Sequence, residues 1–411
     1  MKQFVAEIVN SKSAGLCLVG LLLVIGSVGC AGSVASPSVR LTAVAPIDKT
    51  AKPKPTASPS PTPTVIPAFA ATGSMHVGRI DATATLLTTG KVLIAGGYSE
   101  IGLIHPVIAS AELYDPATGQ FTPTGSMTTA RGGATATLLQ DGRVLIAGGA
   151  GCRTSACFKG DFAAQQALAS AELYDPTTGK FALTGSMTTA RYSGTATLLS
   201  NGLVLLASGG DALTADLYAP DSGKFTRAAS LSGFVYTMTA TLVINGNVLL
   251  VGKNDGGAFA ELYDPTNGKL TSISFHTGGR VAPETATLLR DGRVLLFESG
   301  YLETYDPTSG VVTPAGTMDV PGQWSDPTDI LLADGRVLFE GGEFAPDSGA
   351  NDSVVASEAA LYDPARGPHP IDSMPAPRTN GTATLLRDGS VLIAGGSSDG
   401  QNALSSAELF K

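Results

Sequence analysis

Four arginines stand at one repeated place in this 411-residue chain. Arg79, Arg131, Arg191 and Arg378 each lie four residues ahead of a threonine that opens a Thr-Ala-Thr-Leu-Leu run. Equivalent places elsewhere hold Val235, Val281 and Trp324, with Arg280 one place out of register. A guanidinium fork recognises a carboxylate through two parallel hydrogen bonds. If these side chains line a common opening, one arc is cationic and the other apolar with an indole. That rim would suit an amphipathic anion, such as an acidic glycan terminus or a carboxylate-bearing peptide. The same arginines could instead tie neighbouring repeats by binding main-chain carbonyls. The spacing leaves both readings open.

Other chemistry finds less support. The four histidines, at 76, 105, 276 and 369, are dispersed, so no multi-histidine metal centre and no cofactor are expected. Cys152 and Cys157 lie within one short loop and are expected to pair as a disulfide in an oxidising compartment. The Asp and Glu residues mostly have turn or strand-edge explanations, as at Asp115, Asp175, Asp264 and Asp306 ahead of proline. No nucleophile, histidine and acid stand in a recognisable constellation, so no catalytic residue is assigned. Carboxylates brought together from distant repeats are the one catalytic route left open.

The elements that position these residues recur in a fixed order: a T-A-T-L-L run, an Asp-Gly or Asn-Gly turn, V-L-I-A-G-G, A-E-L-Y-D-P, then G-x-F and G-S-M. The runs are anchored at Thr83, Thr135, Thr195, Thr239, Thr285, Thr328 and Thr382. Their spacing, on the order of 43–60 residues, is that of four-stranded propeller blades. Asp/Asn-Gly suits a two-residue hairpin whose central positions both need positive φ. The continuous apolar run Val144–Ala147 predicts a strand covered on both faces. Phe121, Phe181 and Phe225 follow the tyrosines at 114, 174 and 218, as aromatics that pack between blades. The last repeat breaks off at Ala407–Lys411, and its missing strand matches Phe69–Met75 near the other end. The expectation is an all-β, seven-bladed propeller of four-stranded antiparallel blades over 67–411, its last blade closed by the N-terminal strand.

Through the double glycine, the later tyrosine and the aromatic after it, the repeats resemble Kelch repeats. Within that class they are similar to the bacterial proteins related to the galactose oxidase propeller. Phe stands where Kelch repeats usually carry Trp, and the double glycine is missing at Val251-Gly252-Lys253 and Phe297–Gly300. The resemblance implies a copper site of two histidines, two tyrosines and a crosslinked cysteine. None of those residues can be carried over by position.

The N-terminus has Lys2 and Lys12 before an apolar run, Leu16–Val28, and ends in Ser27-Val28-Gly29-Cys30. This resembles a lipoprotein signal over 1–29, with Cys30 as the lipidated first residue. Residues 30–66 are rich in proline, serine and threonine and lack the apolar content for a core, which predicts a tether. A net charge of −9 argues against nucleic acid as a partner. The chain is thus expected to be an extracytoplasmic monomer, membrane-anchored as a lipoprotein or else secreted, that binds a protein or glycan without catalysis. The expected binding surface is the face bearing the long loops at 98–109, 150–169 and 343–357. A carbohydrate-active or galactose-oxidase-like enzyme is the alternative, and a passive envelope-structural protein a third.

Overall fold

A computed structural model describes residues 68–99, 106–152, 165–210, 212–232, 237–254, 257–273, 283–319, 323–345 and 353–411. Cys30, Cys157 and the expected signal and tether lie outside these residues, as does the side chain of Cys152. The described elements are all β, in eight antiparallel sheets. Seven of the sheets run four strands in line, and the eighth is a small three-stranded sheet of Gln323–Ser325, Glu343–Ala345 and Val354–Val355.

Sheet one shows the common plan: Thr83–Leu86, Val92–Ala95, Ala111–Asp115 and Gln120–Pro123, each pairing with the next. Sheets two to seven begin with Thr135–Leu138, Thr195–Leu198, Thr237–Leu242, Thr285–Leu288, Thr328–Leu331 and Thr382–Leu385. These first strands neighbour one another in chain order, and the seventh returns to the first. The circle is therefore continuous. Sheet seven takes its fourth strand from the far end of the chain: Phe69–Ala71 pairs antiparallel with Ala407–Phe410, Phe69 opposite Phe410.

Local chemistry explains the strands. Second strands such as Val144–Ala147 are buried at every position, because each lies between two neighbouring sheets. Gly142 and Gly292 hold φ of 87° and 89° in the hairpins, a region other residues enter at a cost. After the third strand, Asp115 Oδ1 accepts from Ala117 N–H at 3.0 Å and turns the chain into the fourth. The apolar core is not central. It is divided into seven clusters, each built from two adjacent sheets. The cluster between sheets one and two, for example, joins Leu93 and Ala95 to Val144, Ile146 and Tyr174. The recurring Tyr and Phe also meet across strands of one sheet, with Tyr114 and Phe121 ring centres 4.8 Å apart. Part of the segment expected as the loop 150–169 is strand: Ala150–Cys152 pairs with Gln165–Asp175.

Circular packing gives the terminal strand a full share of core. Phe410 is 3% exposed and its ring lies 5.0 Å from that of Phe69. Phe410→Ala is expected to lower unfolding stability by about 3–5 kcal/mol, as for any buried aromatic. Urea denaturation measures it; a loss near zero would mean that the closing pair adds nothing.

Candidate functional site

The four arginines are not at an opening. Each is at most 2% exposed, and each guanidinium is enclosed by the sheet that its own segment enters. Arg131 Nη1 donates to Gly148 O at 2.9 Å and Ser170 O at 2.8 Å. Its Nη2 donates to Ser170 Oγ at 3.0 Å and Glu172 Oε1 at 3.1 Å. Arg79 repeats this with Gly96, Ser110 and Glu112, and Arg378 with Gly395, Ser406 and Glu408. Arg191 uses Ser208, Thr214 and Asp216. Burial pulls Arg79, Arg131 and Arg191 below the usual guanidinium range, and the paired carboxylate works against that pull.

The main chain of the same arginine reaches the other way. Arg131 O accepts from Gly97 N at 2.7 Å, Arg191 O from Gly149 N at 2.9 Å, Arg378 O from Gly342 N and Arg79 O from Gly396 N, both at 2.8 Å. Each donor is the second glycine of the preceding sheet. The first glycine is constrained as well: a Cβ on Gly96 would stand 2.5 Å from Arg131 O. Arginine and double glycine are thus two halves of one junction, with the side chain in one sheet and the carbonyl on its neighbour. The carboxylate completes it. Glu172 accepts from Thr128 N at 2.7 Å and Thr129 N at 3.0 Å, and Glu112 likewise holds the amides of His76 and Val77. A buried carboxylate with several donors and a cation satisfies the conditions for a tolerated buried ion pair.

Trp324 is buried too, and its indole N–H donates to Gly341 O at 2.6 Å. That carbonyl matches the one Arg131 takes from Gly148. Where Trp replaces Arg, the acid disappears as well: Ala360 stands in the register of Glu172. The space is filled by Phe297 and Phe344, each with its ring centre 5.8 Å from the indole. In sheet four Glu261 persists, and its Oε2 is buried without a partner. Val235 and Val281 lie outside the described residues.

The opening is lined instead by residues two places before the first-strand threonine in five of the seven sheets. Asp81, Gly133, Ser193, Asp326 and Asn380 all hold φ between 50° and 57°. They line a cavity of about 320 Å³, together with Ala82, Ala134, Gly194, Thr328 and Gly381. A backbone belt runs beneath it: Asp81 N donates to Asn380 O, Gly133 N to Asp81 O and Ser193 N to Gly133 O, at 3.2, 3.1 and 2.8 Å. Asp326 N binds Glu284 Oε2 at 3.0 Å. The carboxyl of Asp81 reaches water, but the surrounding protein desolvates it and pushes it up to about 6. Desolvation also raises Asp326, and raises Glu284 to about 7. The rim is therefore polar and acidic, not half cationic. The signal was in the sequence, two residues past the arginines, where Asp, Asn, Ser and Gly tolerate left-handed backbone.

Among the described residues, no three His, Cys, Asp or Glu side chains are grouped to hold a metal ion. His76 Nδ1 is engaged by Glu112 at 2.8 Å, and His369 Nδ1 lies 3.4 Å from Gly367 O. His105 and His276 lie outside those residues. The hydroxyls of Tyr114, Tyr174 and Tyr218 are each committed to a threonine of the neighbouring sheet. Among the described residues, none assemble the copper set implied by the resemblance.

No family model and no curated protein matches the sequence. A solved structure does: a fungal alcohol oxidase of the AA5 family in complex with copper, with a TM-score of 0.65 and 14% identity over 84% of this chain and 76% of that one. The fold is β-propeller-like.

The junction chemistry predicts strong coupling. Arg131→Met alone leaves Glu172 buried and unpaired, at an expected cost of about 3–5 kcal/mol. Arg131→Met with Glu172→Leu is expected to cost at least about 2 kcal/mol less than the sum of the single changes. Additive losses in a denaturation double-mutant cycle would refute the coupling.

Proposed function

We propose that this chain is an exported, lipid-anchored propeller of seven Kelch-like blades that recognises a glycan at its acidic mouth without turning it over. In this reading residues 1–29 direct export, Cys30 carries the lipid and 30–66 form the tether. The seven four-stranded sheets, their circular order and the terminal pairing support seven blades closed by the N-terminal strand. The observation that carries the ligand assignment is the mouth itself. It presents acceptors and small polar groups from four different sheets around one cavity, through Asp81, Ser193, Asp326 and Asn380. An ionised carboxylate accepts two hydroxyl hydrogens at once, which suits vicinal hydroxyls of a neutral sugar. The acidic rim disfavours the anionic ligand that an arginine arc would have taken, and disfavours nucleic acid.

The comparison favours a second reading, an extracytoplasmic carbohydrate-active or alcohol-oxidising enzyme, because a chain of like fold is a copper alcohol oxidase. Carboxyls held near neutrality would serve such an enzyme as proton donors.

The test is a neutral-glycan and peptide array with the purified chain, followed by titration of each hit from pH 5 to pH 7.5. Asp81 ionises as pH rises through about 6. Affinity for a sugar is therefore expected to rise about tenfold across that range, the worth of one hydrogen bond to a charged group. Asp81→Asn should flatten the profile. Binding confined to peptides, or peroxide release from copper-loaded protein and a sugar alcohol, would overturn the binder reading.

A further inference from the structure

The mouth has an aromatic neighbour. Tyr192 stands between the buried Arg191 and Ser193, which lines the cavity. Both flanking residues are fixed. The Arg191 guanidinium is held by Ser208, Thr214 and Asp216, and Ser193 N donates to Gly133 O at 2.8 Å. One side of the Tyr192 ring is seated on Gly210, where a Cβ would stand 2.7 Å from Cε1 and 3.1 Å from Cδ1. The residue is nevertheless 44% exposed. Sheet three passes from Val204–Ala207 to Thr214–Ala219 through a tight turn, Ala212 N to Gly209 O at 3.2 Å, and Leu213 after it is 43% exposed. At the same place sheet two builds the paired strands Ala150–Cys152 and Gln165–Asp175.

Tyr98 repeats the arrangement one sheet away. Its ring lies on Gly132, where a Cβ would stand 2.3 Å from Cε2 and Cζ, and Gly132 precedes the cavity-lining Gly133. At both places a glycine makes room for a phenol beside the mouth. A ring held on fixed backbone needs little further ordering when a ligand arrives. Apolar surface next to a few convergent polar groups is the usual make-up of a small-molecule site. A pyranose matches that combination, because its hydroxyls stand around the edge and its C–H groups on the faces. The edge requires acceptors such as Asp81 and Ser193, and the face requires a surface such as Tyr192.

We propose that Tyr192 is a stacking platform that extends the mouth into a site for a neutral β-linked oligosaccharide, one ring held in the cavity and the next lying on the phenol. The inference rests on the glycan reading of the mouth and adds a second subsite to it. The cavity of about 320 Å³ is at the small end for a ligand pocket, which suits one sugar ring and leaves the next outside. A sugar whose hydroxyls are all equatorial has C–H groups on both faces and lies flat on an aromatic ring. An axial hydroxyl pressed against the phenol would lose its water without gaining a partner. A β-1,4 linkage keeps successive rings extended, so one chain spans cavity and platform.

The test is calorimetric titration of the full chain with cellotetraose and with methyl β-glucoside, a single ring of the same sugar. Cellotetraose is expected to bind about tenfold more tightly, the worth of one aromatic contact. Tyr192→Ala should bring it down to the affinity of the single ring, and Tyr192→Phe should retain the advantage. Proton NMR of the unaltered protein should show the ring-face C–H resonances of bound cellotetraose moved upfield by the phenol. Equal affinities for the two probes, a cellotetraose affinity untouched by Tyr192→Ala, or unshifted resonances would overturn the platform. Binding of some other neutral glycan but not cellotetraose would overturn it as well and leave the mouth a sugar site. Failure of every glycan to bind would end both readings.

Discussion

A buried arginine that faces two sheets is the interaction on which the architecture turns. A four-stranded sheet of this kind cannot bury both its faces alone, and each apolar cluster here is shared between two neighbours. Apolar packing is non-directional and fixes neither the distance nor the rotation between sheets. The arginine junction supplies direction. Its guanidinium reads two carbonyls and an acid in one sheet, while its own carbonyl takes an amide from the sheet before. The double glycine is needed because that carbonyl approaches where a Cβ would stand.

This dependence explains how the junctions vary together. Double glycines at 96–97, 148–149, 341–342 and 395–396 precede Arg131, Arg191, Arg378 and Arg79. Ser208-Gly209, Gly252-Lys253 and Glu298-Ser299 precede Val235, Val281 and Trp324. Losing the cation removes the reason for the close approach, and losing cation and acid together avoids a stranded buried charge. Trp324 with Ala360 shows that outcome, with packed aromatic rings in place of the pair. Such exchanges are energetically neutral or favourable when both partners go.

Much of the scaffold was legible in the chain. Asn/Asp-Gly turns, continuous apolar second strands and the Asp-Pro stops each encode a local geometry, and the split last repeat pointed to Phe69–Ala71 beside Ala407–Phe410. The site was less legible. Arg79, Arg131, Arg191 and Arg378 were found by period, but period does not say which way a side chain points. A four-residue lead before a strand can aim into an opening or into the next sheet, and the partner acids lie 30 to 41 residues away, or 25 for Asp216. Nor does spacing reveal the mouth. Asp81, Ser193, Asp326 and Asn380 are of three residue types and have in common only a backbone conformation and a place on the circle.

Residue-resolved hydrogen exchange at neutral pH tests the junction account most directly. The amides of Gly97, Gly149, Gly342 and Gly396, each bonded to an arginine carbonyl, should be protected close to the global unfolding limit. Those of Gly209, Lys253 and Ser299, at the same place in sheets whose following segments lack the arginine, should exchange through smaller openings and distinctly sooner. Equal protection in both groups would contradict the account and return the alignment of the sheets to apolar packing alone.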